Sequence, residues 1–191
     1  MSKSVLGIIG GGQLGSMLAS AAKKLEIKTV VFSDDIDDPA QKFADDFIYG
    51  NYDDLTKIDE LISKTQIITY EFENIPYETL NIINKKRPVL PKPSINRIIQ
   101  HRLAEKDFIN KLNIRTTQYA SIENETEVDA VQNLLPGLLK TTTLGYDGKG
   151  QHLIDSIEDL KELSIDFNKG YILEKLVKLK KEISIIITRF N

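Results

Sequence analysis

Cysteine is absent from the 191-residue chain, and only two histidines are present. Without cysteine there is no disulfide framework and no thiolate metal site. His101 and His152 stand far apart and offer no ligand spacing, so neither is given a role and no metal ligand is expected within the chain. Long apolar runs are missing too. The longest reach only strand length, against the roughly 20 residues that a membrane-spanning helix needs. Basic clusters are equally scarce: 25 Lys and Arg face 28 Asp and Glu, for a net charge of -3. The one lysine-dense stretch, residues 178–181, reads as a solvated hairpin, so nucleic acid is not an expected partner. The first residues lack an apolar segment followed by a small-residue cleavage site, which makes the cytoplasm the expected location. What remains is an ordinary soluble composition, 41% hydrophobic and 28% charged. Its length suits one small domain followed by part of another.

The stretch around which the chain is organised is LLKTTTLGYDGKGQ, residues 138–151. Gly145, Gly148 and Gly150 permit positive φ and let backbone N–H groups approach an anion. Lys140 follows an apolar run, which would hold its stem while the ammonium points at phosphate oxygens. Asp147-Gly148 is also a strong two-residue turn signal, and a lysine beside a β-hairpin is ordinarily just solvated. At this point hairpin and phosphate loop stand level.

Earlier in the chain, an apolar run at residues 5–9 leads into Gly10-Gly11-Gly12-Gln13-Leu14-Gly15 and an amphipathic helix over residues 16–25. Strand, glycine turn and helix in this order fit G-x-G-x-x-G and suggest a dinucleotide at the helix N-terminus. A second strand, residues 27–32, ends at Ser33-Asp34-Asp35, where such folds place a ribose-binding carboxylate or simply begin a polar loop. A helix at 58–63 precedes a buried strand, QIITYEF, at 66–72. Glu71 and Glu73 share a face at its carboxyl end, and need an amine or cation as partner unless they are exposed beyond the strand. A helix at 77–84, a short strand at 89–90 and a rigid connector at 91–94 complete a first domain, residues 1–93. The second domain, residues 94–191, starts with a helix at 95–112 that carries Arg102 and Lys106 one turn apart. Like charges at that spacing repel unless an anion lies nearby, or they form a solvated basic face beside Glu105 and Asp107. Strands at 117–121, 138–141, 151–154, 171–177 and 182–188 and helices at 124–134 and 156–163 follow.

Taken together, G-I-I-G-G-G-Q-L-G-S-M-L-A, T-Y-E-F-E-N-I-P, H-R-L-A-E-K-D-F-I, the 138–151 loop, L-E-K-L-V and K-E-I-S-I-I-I resemble, in order and separation, the 5-(carboxyamino)imidazole ribonucleotide synthases. These are ATP-grasp ligases of purine biosynthesis. The resemblance covers nearly every residue and demotes the dinucleotide reading, which alone would point to a nicotinamide-dependent dehydrogenase. It implies an α/β fold: a biotin-carboxylase-like, Rossmann-like pre-ATP-grasp domain with a parallel sheet, followed by the first part of an ATP-grasp domain. It also implies a reaction. ATP phosphorylates bicarbonate, and the activated carboxyl group passes to the exocyclic amine of aminoimidazole ribonucleotide, leaving ADP and phosphate; lysines, backbone N–H groups and magnesium meet the developing phosphoryl charge.

By the same resemblance Arg102 and Lys140 pair with ATP phosphates, under a flap formed by Gly145, Tyr146, Asp147, Gly148, Lys149, Gly150 and Gln151. Tyr146 and Lys149 would reach substrate or bicarbonate as the catalytic residues. Glu174, Lys175, Leu176 and Val177 would form the adenine hinge, and Glu182 would hold the ribose. Gln13, Leu14 and Glu71 would touch the imidazole ribonucleotide, with Glu73 an alternative to Glu71, so that the first glycine turn cradles the phosphoribosyl end. ATP and magnesium are the implied cofactors, the magnesium ligands lying in residues that follow in the family, and homodimers are the family's common assembly. Where family members often carry arginine after the phosphate lysine, this chain has Thr142 and Thr143, with less charge at the flap. Family members run on well past residue 191, so the chain is expected to be truncated and, alone, inactive or nearly so. Two other readings stay open: another ATP-grasp ligase or formyltransferase of purine synthesis, and a non-catalytic nucleotide- or ribonucleotide-binding module.

Overall fold

In the first half of the chain, short β-branched runs alternate with amphipathic helices, the pattern that builds a parallel sheet covered on both faces. The structure, a computed structural model, describes residues 4–144 and 150–187 and divides into two units, Met1–Glu105 and Lys106–Asn191. The first unit holds β1 (Val5–Ile9), α1 (Gln13–Lys24), β2 (Lys28–Ser33), β3 (Asp46–Tyr49), α2 (Leu55–Lys64), β4 (Ile67–Tyr70), α3 (Tyr77–Asn84) and α4 (Pro93–Ile99). Its strands lie in the order β3-β2-β1-β4, every pair parallel.

Alternation along the strands sorts the core into two layers. Ile9, Phe32, Ile48 and Ile68 face Ile58 and Leu61 of α2 and Leu80 and Ile83 of α3, and the Phe32 ring meets Tyr52 edge-on at 5.4 Å. Ile8 and Val31 face the other way, onto Ala19 of α1 and Ala40, where small side chains let the helix lie close. Each large side chain buried in these layers contributes roughly 1.5–3 kcal/mol.

Expectations for this stretch of the chain are corrected. The sequence reading passes over β3, and the single helix at 95–112 is two helices, α4 and α5 (Arg102–Lys111). Pro93 is the first residue of α4, where its fixed φ suits the helix, and does not belong to an extended connector. The break falls at Gln100 and His101, where residues distant in sequence hold the chain. Gln100 Nε2 donates to the carbonyls of Glu73 and Ile75 at 2.7 Å each, and Asn96 Nδ2 donates to Ile75 at 3.0 Å, tying α4 to the loop after β4. His101 Nδ1 then accepts the Ala104 N–H at 3.4 Å, at the start of α5.

The second unit is antiparallel. It contains β5 (Tyr119–Ile122), a 3₁₀ helix (Glu125–Leu134), β6 (Gly137–Thr141), β7 (Gln151–Ile154), α6 (Ile157–Glu162) and β8 (Tyr171–Lys175), with strand order β5-β8-β6-β7. Val128, Val131 and Leu134 recur every third residue, and a helix of three residues per turn puts all three on one face, against Leu139, Ile154 and Leu173. A capping box between Ser156 and Asp159 starts α6.

Over residues 182–187 the strand expected at 182–188 does not form. Residues 182–187 have no regular secondary structure, and Ile186 is 94% exposed. A strand exists only as one side of a ladder. β8 already has β5 and β6 on its two edges, so the apolar run finds no place beside it among the described residues. For the same reason residues 178–181 are exposed but form no hairpin. No described helix is long and apolar enough to cross a membrane.

Candidate functional site

The carboxyl ends of β1, β2 and β4 open on a cleft of about 240 Å³, lined by Gly10, Gly11, Gly12, Asp34, Asp35, Asp38, Tyr52, Glu71 and Phe72. Ligands of open α/β sheets bind at such an edge. Gly10 sits at φ 100, and a Cβ on Gly15 would stand 2.4 Å from the Gly10 carbonyl oxygen, so only glycine lets α1 start this close to β1. Gly12 caps α1 without a side chain, and its N–H donates to Glu71 Oε1 at 3.3 Å.

The turn therefore already meets a carboxylate of its own chain. Burial pushes the Glu71 carboxyl up from its ordinary value; the bond from Gly12 opposes the shift, while Asp38 and Glu73 add to it. Burial also pushes the Tyr52 phenol up to about 12, so it keeps its proton. Ser33 Oγ donates to Asp38. With four carboxylates in the lining, a pyrophosphate would enter against their charge, and a phosphate could reach the Gly12 amide only by displacing Glu71. The site suits groups that donate hydrogen bonds. Of the two candidate acids, Glu71 lines the cleft, whereas Glu73 is exposed and its carbonyl is taken by Gln100. Gln13 and Leu14 open α1 next to Gly12 and are exposed, Leu14 at 57%.

The second unit gathers charge differently. Lys140 on β6 lies opposite Ile172 of β8, so Glu174 is its diagonal neighbour on the same face of the sheet. Lys140 Nζ reaches Glu174 Oε2 at 2.9 Å, and Lys106 Nζ reaches Oε1 at 3.2 Å, with the Lys140, Lys106 and Glu174 side chains only 17%, 15% and 11% exposed. Burial alone would raise the Glu174 carboxyl, yet its bond to Lys140 and the charges of both lysines hold it below the usual range. Tyr119 stands opposite Glu174 on β5, with Lys106 5.5 Å from its ring centre. Its hydroxyl donates to Asp107 at 2.7 Å and accepts from Asn110 at 3.0 Å.

Lys106 is the residue that the site list drawn from sequence omits. Its spacing from Arg102 asks for a nearby anion, and Glu174 supplies one; the solvated-face reading fails on burial. Arg102 opens α5 and belongs to the first unit, whereas Lys140 belongs to the second. β6 and β7 are antiparallel neighbours, so the hairpin reading holds, with β6 ending at Thr141 and β7 starting at Gln151. Gly145, Tyr146, Asp147, Gly148 and Lys149 lie outside the described residues. Gly150, at φ 69, accepts the Thr141 N–H at 3.2 Å, and Gln151 pairs with Lys140 across the hairpin. Thr142 is buried and bonded to the Lys169 carbonyl at 3.2 Å, a packing role. Lys175 ends β8; its N–H donates to Gln118 and the Leu176 N–H to Pro136. Leu176 and Val177 are exposed, as is Glu182, which lies on the irregular stretch and on no strand.

A parallel glycine-turn unit followed by an antiparallel unit with a buried lysine and carboxylate on its sheet has the make-up of a pre-ATP-grasp domain joined to ATP-grasp sequence. The chain belongs to the ribonucleotide synthetase preATP-grasp family, whose domain matches residues 2–100, and the ATP-grasp domain matches residues 107–191. Among curated proteins it is similar to the N5-carboxyaminoimidazole ribonucleotide synthases of Staphylococcus aureus strain COL, 37% identical over 98% of this chain and 51% of the relative, and Brucella melitensis, 37% identical over 97% and 53%. The chain thus spans about half the length of the curated relatives it matches. Among solved structures, the Staphylococcus aureus synthetase complexed with ADP superposes with a TM-score of 0.85 at 36% identity, over 93% of this chain and 48% of that one. The Thermus thermophilus synthetase gives 0.83 at 29%, over 92% and 48%.

Proposed function

We propose that this chain supplies the nucleotide-binding and ribonucleotide-binding surfaces of an N5-carboxyaminoimidazole ribonucleotide synthase. That enzyme carboxylates aminoimidazole ribonucleotide with bicarbonate at the expense of ATP. The observation that carries the reading is Lys140, held in reach of Glu174 on β6 of a fold that superposes on an ADP-bound synthetase. Lys140 is a point charge for nucleotide phosphates, and of residues 174–177 the exposed end, Leu176 and Val177, faces the base, because the Lys175 and Leu176 N–H groups are already bonded to Gln118 and Pro136. At the other site Glu71 accepts hydrogen bonds from the amine and hydroxyls of the ribonucleotide, and Tyr52 donates through its retained proton. Among the described residues no group of three or more His, Asp or Glu side chains is placed to hold a metal ion.

Calorimetric titration of the 191-residue chain with ADP tests the reading, and saturable heat is expected. Aminoimidazole ribonucleotide should bind separately, with Glu71→Ala abolishing its heat. Phosphate release with ATP, bicarbonate and the ribonucleotide is expected to stay far below an enzyme-like rate. Absence of both binding signals would refute the proposal.

A further inference from the structure

Glu174 is claimed by two lysines at once, one on each carboxylate oxygen, and all three side chains are largely shut off from water. Lys106 is also held by groups that do not involve Lys140. It lies over the Tyr119 ring, and the hydroxyl of that ring is fixed by Asp107 and Asn110 on the helix that carries Lys106. Lys140 has no such second anchor in the cluster. A phosphate draws it away from Glu174, and a carboxylate left without a cation in a buried place is strongly disfavoured.

We propose that Lys106 is a positioning residue that stays on Glu174 as its counter-ion when Lys140 moves to the phosphates of a nucleoside di- or triphosphate. The three side chains thus form an exchange: one cation remains, the other is lent to the ligand. This rests on the nucleotide reading above. Without Lys106, Lys140 is the sole partner of Glu174, and a phosphate has to compete for it.

The test is a double-mutant cycle read by ADP calorimetry on the full 191-residue chain. Lys106→Met is expected to weaken ADP binding about tenfold, as loss of a charge-assisted contact would, while Lys106→Arg stays close to the unaltered chain. In the Glu174→Gln background the same Lys106→Met change should cost less than about threefold, because no carboxylate is left to neutralise. An equal loss in both backgrounds would overturn the exchange, since Lys106 would then touch the ligand itself. No loss in either would overturn it too, leaving the cluster purely structural. Should the unaltered chain take up no ADP, the nucleotide reading fails, and the exchange is read from Glu174 directly by ¹³C NMR titration of its carboxyl. Lys106→Met and Lys140→Met should each raise its midpoint; a rise with Lys140→Met alone would overturn the role given to Lys106.

Discussion

The two glycine-rich stretches look alike as sequence, and the described side chains beside them are opposite in charge. The first, at Gly10 to Gly15, is ringed by Asp34, Asp35, Asp38 and Glu71 and has a carboxylate already on its Gly12 amide. The second follows Lys140, whose sheet face carries two cations around one acid. Glycine sets how closely a ligand can approach; the side chains that the fold brings in from other strands decide which ligand is welcome. Both matches to phosphate-loop spacing are therefore silent about charge until Glu71, just past the end of β4, and Glu174, on β8, are placed.

The sheets differ as much as the turns, and core truncations separate them with the largest effects. Phe32→Ala should cost about 3–5 kcal/mol in the parallel sheet and Leu173→Ala about 2–5 kcal/mol in the antiparallel one, since both side chains are fully buried. Hydrogen exchange under increasing urea should show each loss in its own sheet. An equal loss of protection in both sheets from either change would erase the distinction between two separately built units.

The contrast also marks what sequence could reveal. β1, β2 and β4 are legible because a strand buried on both faces reads as an unbroken apolar run. β3, DFIY, is too short and too acidic at its start to stand out. The break between α4 and α5 depends on the carbonyls of Glu73 and Ile75, distant in sequence, so the apolar period runs straight through it. The run at 182–187 has strand-like residues and no ladder partner among the described residues, a failure of pairing that local propensity cannot register. At the proposed sites, motif context singles out Lys140 and Glu71, and the fold gives the first a carboxylate partner and sets the second in a cleft. Lys106 was half-legible: its charge asked for an anion, but nothing local pointed to Glu174.

The next effect in size falls on the basic face. Lys140→Met should weaken ADP binding roughly 10–100-fold, the loss expected for a hydrogen bond to a charged group. Lys86→Met removes the same charge from an exposed pair with Asp59, where little energy is at stake, and should change ADP binding less than about twofold. Similar losses from both would mean that net charge, not the Lys140 position, draws the nucleotide.

The smallest effect is the most diagnostic, because the two glutamates are displaced in opposite directions. Burial raises Glu71 above 4.5, so the folded chain holds that proton more tightly than the unfolded chain does. Its stabilising contribution is present at low pH and is lost as pH rises from 4.5 through the raised value. Glu174 is the reverse. Although burial opposes it, pairing with Lys140 and Lys106 lowers it below 4.5, so its contribution is present above 4.5 and is lost as pH falls through the lowered value. Urea unfolding across the acid range should show Glu71→Gln flattening the decline on the neutral side of 4.5, and Glu174→Gln flattening the decline on the acid side. If both substitutions flatten the same side, one of the two carboxylates does not sit in the electrostatic surroundings described for it, and the opposition between the two turns fails with it.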